Sequence, residues 1–128
     1  MGKRMRFTGN WTDGKKEIIV NLPMILFVED NSTIIYCPAL EISGYGKEED
    51  EAKISFETSL VEFFRYTMNK GTFSSEMERL GWKIRSKGKP YTPPSLQQLL
   101  DSNDNFSRIF NTFSFRKFDS PVTLPAVA

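Results

Sequence analysis

The chain has 128 residues, 39% hydrophobic and 26% charged, with 17 basic against 16 acidic side chains. That length supports one core without covalent staples, and the composition is that of a globular protein rather than a disordered one. A formal net charge of +1 leaves no global pull toward nucleic acid, and the lack of histidine excludes Cys/His zinc sites and histidine-assisted nucleophiles.

Residues 1–16, MGKRMRFTGNWTDGKK, are basic and polar with little periodicity, which predicts a flexible arm. Strand character begins at Glu17. The run EIIVNLPMILFVE is almost continuously apolar, as in a strand covered on both faces. Pro23 cannot donate to a ladder and predicts a bulge, an edge or a break there. Glu29-Asp30-Asn31-Ser32 is turn chemistry, and TIIYC after it predicts an antiparallel hairpin. Pro38 stops that strand. In LEISGYG, Leu40, Ile42 and Gly44 alternate with Glu41, Ser43 and Tyr45, which predicts a third strand.

A helix follows. Ala52, Phe56, Leu60, Phe63 and Thr67 recur at helical spacing, and Val61, Phe64 and Met68 widen the stripe. Asn69-Lys70-Gly71 is its stop signal. Ser75 and Glu78 have capping-box spacing for a short second helix ending at Gly81. Trp82 and Ile84 alternate with Lys83 and Arg85, which predicts a fourth strand over residues 82–86. After the linker SKGKPYTPP, Thr92 with Pro93 marks another helix start. Leu96, Leu99 and Leu100 give that helix an apolar edge, DSNDN interrupts it, and Phe106, Ile109 and Phe110 predict one or two further turns. Residues 122–124 are a short strand candidate at an edge, open to strand exchange between subunits.

Four groups of residues invite a chemical reading. Gly44-Tyr45-Gly46 fails as a phosphate loop, because Glu49 stands where a third glycine is needed and Glu48 follows Gly46-Lys47. Glu48, Glu49, Asp50 and Glu51 are hard oxygen donors, but consecutive helical residues point about 100° apart and do not converge on one ion. Acids in a first helical turn instead stabilise it by roughly 0.3–1 kcal/mol each. Glu29-Asp30 reads in the same way as a solvated turn. Lys83, Arg85, Lys87 and Lys89 form a basic stretch that either contacts phosphates or blunts a strand edge. Cys37 has no base available and reads as a packed strand residue. It is the only cysteine, and together with the lack of a signal-peptide pattern this predicts a cytoplasmic protein. No apolar run is long enough to span a bilayer.

The stretch VEDNSTIIYCPALEISGYGKEEDEAKISFETSLVEFF, residues 28–64, resembles the N-terminal domain of the HicB-type antitoxins. The resemblance rests on Glu29, Asp30, Tyr36, Pro38, Leu40, Gly46, Glu51, Ala52, Leu60 and Phe63. With the flanking strands it covers residues 17–86 as one domain, and residues 87–128 follow as linker, short helical extension and terminal strand. The sequence departs from the family at Glu41-Ile42-Ser43, where many members carry Pro-Gly-Cys. It also carries no clear ribbon-helix-helix or helix-turn-helix. The resemblance implies an α+β fold, a β-β-β-α-β partial ribonuclease H-like unit with no catalytic role and no cofactor or metal. It implies a HicA-like toxin ribonuclease as partner, and homo-oligomers. Glu48, Glu49, Glu51 and Tyr45 are the expected partner-binding residues. Nucleic-acid binding through Lys83, Arg85, Lys87 and Lys89 is the alternative.

Overall fold

The computed structural model describes residues 17–84 and 91–125. Its strand order follows from one tight turn. β1 (Glu17–Glu29) and β2 (Ser32–Cys37) are joined by Asp30 and Asn31, whose φ values are 51° and 65°. Asparagine and aspartate tolerate that region, and two such residues make the turn whose twist matches a hairpin. Glu29 and Ser32 are therefore the closing hydrogen-bonded pair, and alternation fixes the rest. Odd residues of β1 direct their backbone groups toward β2, and even residues direct theirs away from it.

That alternation explains Pro23. Its nitrogen lies on the β2 side, and β2 pairs with β1 only from Ile25 onward. The missing donor therefore faces no strand, and β1 runs unbroken. On its other side β1 pairs antiparallel along Glu17 to Phe27 with β4 (Phe115–Pro125). β3 (Ile42–Gly46) pairs antiparallel with β2, giving one four-stranded sheet in the order β3-β2-β1-β4. The fold is thus α+β.

The expected fourth strand at residues 82–86 is corrected here. Lys83 makes one isolated bridge to Thr92, and residues 85 and 86 lie outside the described residues. Trp82 alternates with its neighbours because it is a core plug. It is buried, donates from Nε1 to the Ala39 carbonyl at 2.7 Å, and meets Tyr91 edge-on. The place beside β1 belongs to the C-terminal strand, which is far longer than the three residues foreseen. A single helical return after β3 would deliver its next strand parallel to β1, whereas β4 runs antiparallel to it. Four helices intervene among the described residues.

α1 (Glu49–Lys70) lies across one face of the sheet. Its buried stripe is Ala52, Phe56, Leu60, Phe64 and Thr67, so Phe64 rather than Phe63 takes the inward position. The helix stops at Gly71, where φ is 68°, a conformation glycine reaches without Cβ strain. α2 (Phe73–Arg79) begins after Thr72, and Ser75 bonds back to the Thr72 carbonyl rather than forming the expected box with Glu78. α3 (Leu96–Ser102) starts at Ser95, which with Gln98 forms a complete capping box, so Thr92 is not the cap. α4 (Asp104–Thr112) follows with Asn103 as its cap. It packs on the opposite sheet face through Phe106 against Tyr36, and Phe113 just beyond it packs against Phe27.

Candidate binding surface

The best-organised polar cluster sits at the turn between β2 and β3. Pro38 ends β2, and the chain reverses through Glu41, a non-glycine residue at φ 55°. Such backbone is sparsely populated and persists where its surroundings hold it. Here they do so from both sides. Trp82 holds the Ala39 carbonyl, and the Glu41 carboxylate accepts three hydrogen bonds. The Tyr36 hydroxyl and the Asn103 amide both donate to Oε2 at 2.5 Å, and the Asn105 amide donates to Oε1 at 3.1 Å.

Asn103 serves two structures at once. Its side-chain oxygen accepts from the Phe106 N–H and caps α4, while its Nδ2 donates to Glu41 and to the Tyr36 hydroxyl at 3.1 Å. Burial, reinforced by the bond to Glu41, pushes the Tyr36 phenol above its usual range. Tyr36 therefore stays protonated and acts as a fixed donor, a fastening role rather than acid–base chemistry. A cleft of about 310 Å³ opens beside this cluster, with Arg79, Ser102 and Asp104 on its walls. Arg79 is paired with Glu76 at 2.5 Å. Sequence reasoning passed over this cluster. Its only trace was DSNDN, which broke the helical pattern because two of its asparagines are used across the fold.

The acids at the start of α1 divide by role. Glu51 accepts from the Lys47 N–H at 2.7 Å, and Ser55 Oγ accepts from the Tyr45 N–H at 3.1 Å. Lys47 and Tyr45 are odd residues at the outer edge of β3, so these two side chains, one helical turn apart, satisfy backbone donors that would otherwise face water. Glu49 pairs with Arg116 of β4 at 3.0 Å. Glu48, at the N-cap, is exposed. Tyr45 is also exposed, but it stands on the α4 face of the sheet, opposite α1. The four residues therefore share no one face, and the Glu49–Arg116 pair reaches to β4, the edge opposite the β3 edge where Tyr45 and Glu51 sit.

Of the basic group, Lys83 is exposed at the isolated bridge, while Arg85, Lys87 and Lys89 lie outside the described residues. Glu29 approaches Arg108 at 3.9 Å, a loose surface pair. Cys37 is fully buried, and burial pushes its thiol up to about 12 despite backbone hydrogen bonds at Leu40 and Ala39. No helix among the described residues is long and apolar enough to cross a membrane. No family model, curated protein or solved structure matches the chain.

Proposed function

We propose that this chain is a HicB-like protein-binding module of the cytoplasm, without catalytic activity, that occludes the RNA-contacting surface of a small HicA-like toxin ribonuclease. The observation that carries the reading is local. Residues 28–64, which bear the resemblance, form a hairpin, a third strand and a long helix in that order, with the helix lying directly on Gly44. The adjacency of β4 to β1 supports viewing the unit as a variant of a partial ribonuclease H-like fold, altered by its antiparallel last strand.

In this reading the physical mechanism is occlusion. A ribonuclease surface that grips phosphates is basic, and exposed carboxylates at the start of α1 complement it. Among the described residues, Glu48 and Asp50 are exposed acids there without the bonds that Glu49 and Glu51 make, and the exposed Tyr45, on the opposite face of the sheet, supplies an aromatic anchor. Titrating a purified HicA-like toxin with this protein and following RNA cleavage tests the proposal. Cleavage falls to nothing near equimolar protein if the reading is right, and unchanged cleavage in molar excess overturns it.

A further inference from the structure

The two edges of the sheet are treated differently. At β3 the outward N–H groups of Tyr45 and Lys47 are taken by Ser55 and Glu51 of α1. At β4 the even residues bond to β1, so the backbone groups of Phe115, Lys117, Asp119, Pro121 and Thr123 point outward. The far end of this edge is occupied, because the Tyr91 hydroxyl donates to the Pro125 carbonyl. Its middle is blunted by Pro121, which has no donor. The segment from Phe115 to Asp119 has no such cover among the described residues, and no strand of the sheet lies beyond it.

We infer that this segment pairs with its counterpart in a second copy of the chain, antiparallel, about a two-fold axis at Phe118. The sequence is self-complementary in that register. Lys117 of each copy stands opposite Asp119 of the other, and each such pair exchanges two backbone hydrogen bonds as well as opposite charges. Within one chain Lys117 and Asp119 already share a face, with Nζ 3.3 Å from Oδ1, and both are exposed. Phe118 faces Phe118 in a non-hydrogen-bonded pair, the type in which Cα atoms approach to about 4.5 Å and side chains meet most closely. Phe115 falls opposite Pro121, whose carbonyl still accepts although its nitrogen cannot donate. A register shifted by two residues loses both Lys–Asp pairs. The occupant that fits this edge is therefore the chain itself, and the product is one continuous sheet through two subunits.

Sedimentation equilibrium over a wide concentration range tests the inference on the full chain. The wild type forms a dimer. Lys117→Pro removes an outward N–H without touching the β1 ladder, so it gives a monomer whose circular dichroism is unchanged. Asp119→Lys sets like charges opposite each other and weakens the dimer about tenfold, and combining it with Lys117→Asp restores the wild-type constant. A wild type that stays monomeric throughout, or a dimer indifferent to Lys117→Pro and Asp119→Lys, overturns the inference. If Lys117→Pro fails to fold, the charge swap decides alone, and a swap that does not restore association overturns the register.

Discussion

Replacing Gly44 by alanine isolates the contact that seats α1 on the sheet. Gly44 lies in the middle of β3, and a Cβ built there stands 2.2 Å from the Phe56 nitrogen, 2.4 Å from the Ala52 carbonyl oxygen and 2.6 Å from the Phe56 Cα. All three are backbone atoms, so no side chain can rotate away. Ordinary contact begins near 3.4 Å, and α1 must therefore withdraw by about 1 Å. Overpacking of this kind costs about 1–3 kcal/mol. Withdrawal also loosens Phe56, Leu60 and Phe64 from the sheet, and a gap of that size forfeits about a quarter to a half of each dispersion contact. Together these terms amount to about 3–5 kcal/mol, against a total stability of about 5–15 kcal/mol for a typical domain. Urea unfolding followed by circular dichroism measures the loss. Gly71→Ala is the control: its φ is 68° with nothing within 4 Å, so only the backbone penalty applies. That penalty is about 1 kcal/mol. If Gly44→Ala costs no more than Gly71→Ala, the close helix–strand approach is not what fixes α1.

Two further outcomes follow from the turn at residues 37–41. Asn103→Ala removes the α4 cap and two bonds to the Tyr36–Glu41 pair. It destabilises the fold by about 1–3 kcal/mol, and Asn103→Asp, which keeps a cap but sets a carboxylate against Glu41, is no better; an Asp variant as stable as wild type in thermal melts refutes this role for the amide. Burial raises the Cys37 thiol from 9.0 to about 12, so above pH 9 the unfolded chain holds fewer protons than the folded one. Stability present below pH 9 is then lost as pH rises toward 12, at up to about 1.4 kcal/mol per pH unit. Melting curves across this range, in which Cys37→Ala flattens the fall between pH 9 and pH 10, check the sign; an identical slope in the variant refutes it.

Local chemistry made much of the architecture legible. Asp30-Asn31 specified a hairpin, Pro38 ended a strand, Gly71 ended α1, and the spacing from Ala52 to Thr67 specified a long helix. Each of these depends on φ preferences or side-chain periodicity within a few residues, and such terms are written in the sequence. The misreadings are of another kind. Trp82 and Ile84 alternate as a strand would, but alternation reports only that one side is buried. Nothing local says whether a sheet or a loop does the burying. Thr92-Pro93 is a good helix start in isolation, yet Thr92 is committed to a bridge with Lys83 and the start passes to Ser95.

The sequence by itself determined where the chain turns, where it coils and which side of each element is apolar. Tertiary structure alone decided which distant segments meet. β4 lies more than eighty residues from its partner β1, and Glu41 lies 62 residues from Asn103. Such pairings are selected by shape, register and the need to satisfy buried backbone groups across the whole fold. The fold also sets Glu51 and Ser55 on the outward backbone donors of one sheet edge and leaves the backbone of Lys117 and Asp119 facing outward on the other.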